Sequence, residues 1–250
     1  MKLIRWPETA AGNDSPRIAM QLAFDEACLI AAETQSIGSS LRVWEFSRPV
    51  VVLGRSSKFR LETDVEECQS RGVEIFRRCS GGASIAGGPG CLMYSVVLSH
   101  ADQPESATIQ GAHDFVMGRL LSAVKTQLPD SRRDGICDLV WRNCKFSGNA
   151  LRVARSHTLY HGTVLYGYDV ELIEHCLAFA PRQPTYRQGR SHDAFVTNAP
   201  VDPAQLSLDL AIRFSAVSTV SNEMIRSQVR PIADRLVAER YGRDEWRFKR

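Results

Sequence analysis

The feature that most constrains this chain is the segment Arg77-Arg78-Cys79-Ser80-Gly81-Gly82-Ala83-Ser84, closed by Gly87-Gly88-Pro89-Gly90. Ahead of it Val73 and Ile75 alternate with Glu74 and Phe76, the period of a strand. A strand that runs into two arginines and then five glycines within ten residues ends in a tight loop poor in side chains. Glycine permits positive φ and lets a ligand lie directly on main-chain N–H groups. The guanidiniums supply fixed charge for a phosphate or carboxylate. These residues suit an anion-binding loop, and equally a hairpin turn with solvated arginines.

A second segment bears on that choice. Residues 138–152 read Asp-Leu-Val-Trp-Arg-Asn-Cys-Lys145-Phe-Ser147-Gly148-Asn149-Ala150-Leu-Arg152. Again a strand pattern gives way to a short polar turn, then to small residues after a lysine. Together the two segments resemble the lipoate–protein ligase A family, part of the wider biotin/lipoate ligase and octanoyltransferase group. That family has an Arg-Arg-x-Ser-Gly-Gly-Gly-Ala loop, a Lys-x-Ser-Gly-x-Ala-x-Arg segment and then a His-Gly-Thr strand. Here these are Arg77 to Ala83, Lys145 to Arg152, and His161-Gly162-Thr163. Arg42-Val-Trp44, the run Val50 to Arg55 and Asp25-Glu26 also fit, so the resemblance spans roughly residues 17–170. Two positions depart from the pattern: Ala83 replaces the third glycine, and Gly87 stands where the family has histidine.

Composition fits this reading without demanding it. A chain of 250 residues with 44% hydrophobic and 24% charged residues is ordinary for a globular protein. A net charge of +3 is too small to argue for nucleic acid. Seven cysteines without C-x-x-C spacing fit reduced thiols in a cytoplasmic protein better than disulfides or zinc. The N-terminus lacks the apolar region of a signal peptide, and no run approaches the ~20 residues of a membrane span. His157 and His161 lie four apart, but on a strand that step is about 13 Å, too far to share one metal ion.

Along the chain, a first helix is expected from Ser15-Pro16, with Ser15 as its N-cap. Strands follow at 41–46 and 50–53, a helix at 64–71, strands at 73–78 and 92–98, and a helix at 110–128. Strands at 138–143 and 158–166 bracket the lysine segment, and a helix follows at 169–178. Residues 180–200 read as a long loop whose Arg187, Arg190 and His192 suggest a lid or rim. Asp202-Pro203 opens another helix, and 221–241 is helical, restarted at Pro231 and ended by Gly242. Short connections such as that between 41–46 and 50–53 exclude parallel crossovers. The expected fold is α+β, a mixed and largely antiparallel sheet flanked by helices. The resemblance implies the same fold, shared with biotin ligases and class II tRNA synthetases. Residues 1–250 are expected to form a single catalytic domain without the accessory domain of the larger ligases.

The resemblance also implies a chemistry. A ligase activates lipoate or octanoate with ATP and Mg²⁺ to an acyl-adenylate. It then transfers the acyl group to a lysine of a lipoyl-domain acceptor, a 2-oxoacid dehydrogenase subunit or the glycine cleavage H protein. A separate accessory subunit would fit the short chain. Lys145 matches the catalytic lysine, with small Ser147, Gly148 and Ala150 leaving room beside it. Gly81, Gly82 and Ala83 would lie against the ligand, Ser80 would offer a hydroxyl, and Arg78 rather than Arg77 would face the ligand. His161, Gly162 and Thr163 complete the expected binding residues. Burying an eight-carbon tail contributes on the order of 4–6 kcal/mol, with Leu41, Trp44, Val52, Val140 and Val164 as expected walls. The alternative is a transferase that takes octanoyl or lipoyl groups from an acyl carrier protein through a cysteine thioester, without ATP. Cys137 and Cys144 are near the right place, but the register sets the nucleophile position closer to Arg133. Alternation on the strand turns Cys144 toward the core if Lys145 faces the site. A third reading is a catalytically dead lipoate-binding or acceptor-docking protein, to which the changes at Ala83 and Gly87 point.

Overall fold

The computed structural model describes residues 1–5, 15–179 and 181–250. Its strands, in chain order, are β1 (Lys2–Ile4), β2 (Ser40–Trp44), β3 (Val50–Leu53), β4 (Glu74–Arg77), β5 (Ile85–Gly87) and β6 (Cys91–Ser99). After these come β7 (Arg132–Asp134), β8 (Asp138–Trp141), β9 (Cys144–Ser147), β10 (Asn149–Val153), β11 (His157–Leu165) and β12 (Ser218–Thr219). Six of them form a central sheet in the order β10-β11-β6-β2-β1-β12. Its middle is antiparallel, and β1 joins β2 and β12 in parallel. Two three-stranded sheets, β4-β3-β5 and β7-β8-β9, sit beside it. The architecture is therefore the expected α+β, with helices covering a mixed sheet.

The central sheet is buried on both faces, and each face has its own core. On one, the helix Ser15–Glu33 packs with the β4-β3-β5 sheet and the helical run 222–241. On the other lie the helices Ile109–Val124 and Pro203–Arg213. The first helix is so enclosed that its middle, Leu22 to Leu29, is buried all round, including Asp25 and Glu26. The Ser15 side chain lies outside the described residues, so its expected capping role does too. Two later helix starts show their caps directly. Thr108 accepts from Gly111 N at 3.1 Å, and Asp202, followed by Pro203, accepts from Gln205 N at 2.7 Å.

The strands at 41–46 and 50–53 do not pair with each other. β2 belongs to the central sheet, whereas β3 pairs in parallel with β4 and antiparallel with β5. The physical reason is in the composition of β3. Val50, Val51, Val52 and Leu53 are apolar on both faces and all buried, so the strand needs cover on both sides and two neighbours. Pro49 has no N–H for a ladder and helps the chain step from one sheet to the other. The lysine segment also differs from expectation. It does not separate two strands but is itself strand, β9 and β10 joined at Gly148.

Candidate active site

The glycine loop is clasped from within. The Arg78 guanidinium is buried and donates to Ser80 Oγ (3.0 Å), Val52 O (3.2 Å), Gly81 O (2.6 Å) and Ala83 O (2.9 Å). Burial pushes it down to about 10. Arg77 does similar service next door, donating to Gly54 O at 2.7 Å and Ser57 O at 2.8 Å. Both arginines expected to meet an anion thus give hydrogen bonds to carbonyls that the tight turn directs inward. Gly82, and not Gly81, adopts φ +85°. The loop also lies directly on Gly54, where a Cβ would come within 1.9 Å of Gly82 O.

Beneath the loop runs a buried chain of polar groups. Ser80 Oγ meets His161 Nε2 at 2.5 Å, and His161 Nδ1 meets Asp25 Oδ2 at 3.3 Å. Asp25 Oδ1 accepts from Arg42 Nη1 at 2.7 Å and from Ser95 Oγ at 2.8 Å. Burial raises the Asp25 carboxyl, but His161, Arg42 and Ser95 outweigh it and hold the group below its ordinary value. Serine, histidine and aspartate in line have the order of a hydrolytic triad. Ser80 is only 1% exposed and also bonded to Arg78, so here the chain braces the loop. Glu26 works in parallel, binding Arg152, Arg240 Nη1 (2.7 Å) and Tyr241 Oη (2.6 Å). Its carboxyl, raised by burial, is lowered further by Tyr241 and the two arginines. Asp25 therefore supports the glycine loop, and Glu26 ties the lysine segment to the C-terminal helix.

Lys145 reaches the site through a hairpin. Arg142 and Asn143 both take positive φ, 49° and 63°, as a two-residue type I′ turn requires. The β8–β9 ladder pairs Val140 with Lys145 and then shifts register. Lys145 Nζ lies 2.7 Å from Asp138 Oδ1, and a Cβ on Gly148 would be 3.0 Å from Nζ. The other Asp138 oxygen accepts from Tyr186 Oη at 2.8 Å, and Lys145 O accepts from Thr197 N at 2.9 Å. Burial and Asp138 push the Tyr186 hydroxyl well up. The 181–200 segment thus holds the lysine strand, although Thr185–Arg187 and His192–Phe195 are its only helical turns among the described residues.

A cavity of about 150 Å³ opens between these parts. Of the expected residues, Ala83, Lys145, Ser147, Gly148 and Thr163 line it. Arg78, Ser80, Gly81, Gly82, Ala150, His161 and Gly162 stand around that lining, not in it. Gly162 makes room for the Asn149 carboxamide, whose oxygen would lie 1.8 Å from an added Cβ. The residues expected to wall an acyl tail do not line this cavity. Leu41, Val52, Val140 and Val164 are wholly buried between sheet and helices, and Trp44 packs edge-on against Phe46. The apolar lining instead comes from Ile85, Ala86, Leu165, Ile173, Leu177 and Phe195. Arg187 and His192 line the cavity, together with Arg182.

Two carboxylates at the site carried no motif signal. Asp138 pairs with the lysine, and Glu62, on a four-residue helix, accepts from Ser57 Oγ, Ser84 N and Ser84 Oγ at 2.9, 3.0 and 2.8 Å. The cysteines are less prominent. Cys137 Sγ is 3.1 Å from Asn149 O, and burial and Asp138 raise its thiol against the opposing Lys145 charge. Cys144 does not face the core. It is half-buried with Sγ 3.8 Å from Ala194 O, because the 181–200 segment covers that face of β9. Arg133 donates to Asp114 at 2.6 Å and to Ile136 O, so no thiol stands at its position.

Residues 17–200 match the model of the lipoyl protein ligase A/B catalytic domain. The chain belongs to that family. The octanoyltransferase LipM of Brevibacillus brevis is 26% identical over 263 aligned residues, covering 93% of this chain and 95% of that protein. LipM of Carboxydothermus hydrogenoformans is also 26% identical, covering 92% and 94%. The putative lipoate-protein ligase A of Schizosaccharomyces pombe is 30% identical, but over 49% of this chain and 32% of its own. Among solved structures, a chain from the Thermoplasma acidophilum bipartite lipoate protein ligase and its E2 lipoyl domain superposes with TM-score 0.77 at 19% identity, covering 99% and 95%. An ATP-bound lipoate-protein ligase A superposes at 0.75, also with 19% identity, covering 99% and 98%. At that identity the structures establish the fold. The chain is thus an enzyme of the lipoate ligase/octanoyltransferase family. Among the described residues no three His, Cys, Asp or Glu converge to hold a metal, and no helix is long and apolar enough to cross a membrane.

Proposed function

We propose that this chain transfers an octanoyl or lipoyl group from an acyl carrier to the lysine of a lipoyl-domain acceptor. The observation that carries this reading is the near full-length match to the LipM octanoyltransferases, where the ligase A matches cover a third to two-fifths of their proteins. The geometry supports it. An apolar slot takes the acyl tail, and Lys145 offers a positioned cation where the carbonyl oxygen gains charge. Cys137, which feels the Lys145 charge, is the nucleophile this reading assigns for a thioester. Its thiolate would attack the donor thioester and release the carrier thiol. The acceptor lysine would then displace Cys137 and form the amide.

A second reading is favoured by the thiols themselves. Cys137 is raised by burial and not lowered, and neither Cys137 nor Cys144 lines the cavity. An ATP-dependent ligase needs no thiol, because its intermediate is an acyl-adenylate. Lys145 would then serve the carboxylate and α-phosphate, and Mg²⁺ would arrive with ATP. One experiment separates the two. The pure protein is given a lipoyl domain with either octanoyl-acyl carrier protein or octanoate, ATP and Mg²⁺, and the acceptor is weighed by mass spectrometry. The transferase reading expects acylation from the carrier alone, an octanoyl thioester on the enzyme, and loss of both in Cys137→Ser. Acylation that needs ATP and survives Cys137→Ser replaces it with the ligase reading.

A further inference from the structure

We propose that Arg187 anchors the phosphate ester of the activated acyl donor, and thereby sets which donors this cavity accepts. The inference rests on the acyl-transfer reading above and deepens it. Arg187 is 5% exposed and lines the cavity. Its guanidinium sits between Phe179 and Phe195, 4.6 and 4.9 Å from their ring centres, which fixes its plane. Its Nε donates to Arg190 O at 2.8 Å. Its Nη2 is buried and has no hydrogen-bond partner among the described residues. A buried guanidinium N–H without a partner is uncommon in a folded protein and calls for an acceptor from outside.

Two other charged groups of the cavity are already engaged. Lys145 has Asp138, and Glu62 has the two serines. Glu174, a carboxylate in the Arg187 field, accepts from His192 N at 2.8 Å. No described residue completes Nη2. A ligand atom is the acceptor assigned to it here, and its class follows from charge. A free fatty acid carries one anion, and Lys145 is placed to meet it. Arg187 belongs to a different wall and calls for a second anion. Both activated donors bring one as a phosphate ester: the phosphopantetheine arm of a carrier, or the phosphate of an acyl-adenylate. A planar guanidinium suits phosphate better than an ammonium does.

Calorimetry on the full chain tests this with three probes: octanoate, octanoyl-adenylate and octanoyl-4′-phosphopantetheine. Arg187→Gln is expected to weaken at least one phosphate ester by about 10- to 100-fold and octanoate by less than about threefold. Arg187→Lys should restore part of the loss, which a purely structural role would not produce. The ester that responds identifies the source of the phosphate. Equal losses for octanoate and both esters would overturn the proposal, as would unchanged ester affinity or a wild type that binds neither ester. Transfer assays on the wild type judge the acyl-transfer reading separately. A wild type that transfers nothing, yet binds an ester in an Arg187-dependent way, loses that reading and keeps the anchor.

Discussion

Behind the glycine loop, Asp25 meets Arg42, Ser95 and His161, and Glu26 meets Arg152, Arg240 and Tyr241. In the wall formed by the 181–200 segment, Arg187 keeps a buried donor unpaired, and Tyr186 reaches across to the carboxylate that holds Lys145. The two carboxylates of the first region are fully paired and so can hold a tight loop in one shape before any ligand arrives. The second leaves polar capacity open and contacts the reacting lysine. Rigidity and ligand capture are thus assigned to different parts of the chain, one near its start and one near residue 190.

The largest test of that division is Asp25→Ala. It takes the carboxylate away from the Arg42 guanidinium, which is 2% exposed, and is expected to cost about 3–5 kcal/mol in urea unfolding. A loss under 1 kcal/mol would show that the buried chain is not a brace. The same pair sets an acid limit. Asp25 and Glu26 are both lowered on folding, so their contribution is complete above their ordinary values, about 3.9 and 4.3. It is lost as pH falls through the lower folded values. Melting curves between pH 6 and 2 should therefore fall less steeply for Asp25→Asn than for the wild type.

Next in size is Lys145→Ala, expected to lower the transfer rate by about 10²–10³. Its side chain is 31% exposed, so stability should change by no more than about 1 kcal/mol. A variant that keeps half the wild-type rate would remove Lys145 from the chemistry. Smaller is the contrast within the loop. Gly82→Ala forces a side chain into φ +85° and should cost about 1–2 kcal/mol, whereas Gly81→Ala meets nothing within 4 Å and should cost under about 0.5. Equal melting temperatures for the two would dissolve the claim that the loop requires glycine at one position. Smallest is Cys144→Ser, whose thiol lies under the 181–200 segment. Its transfer rate should stay within about twofold of wild type, and a large loss would move the nucleophile there.

Element types were legible because they follow from local pattern. The alternation before Arg77, the apolar faces at 110–128 and the Asp202-Pro203 start each declare a strand or helix without reference to the rest of the chain. The partners of these elements were not legible. β3 left β2 for β4 and β5 because its double-sided burial needed cover that no neighbouring residue could reveal. The apolar walls likewise depend on which side chains point between layers, so Leu41 and Val52 became core while Ile85, Ile173 and Leu177 reached the cavity.

By itself, then, the sequence determined the loop and the lysine segment. Glycine, arginine and lysine have few physical substitutes where backbone must take positive φ, carbonyls must be clasped, and a mobile cation is needed. Only the tertiary structure decided what those residues face. Arg78 turned inward because a tight turn aims its carbonyls there, and His161 met Ser80 and Asp25 from 81 and 136 residues away. Asp138 and Glu62 became site residues, and Arg187 was left with an open donor, only once distant segments packed together. Separation along the chain carries no information about such meetings. They are set by which apolar faces must be buried, and polar groups travel with the backbone that buries them.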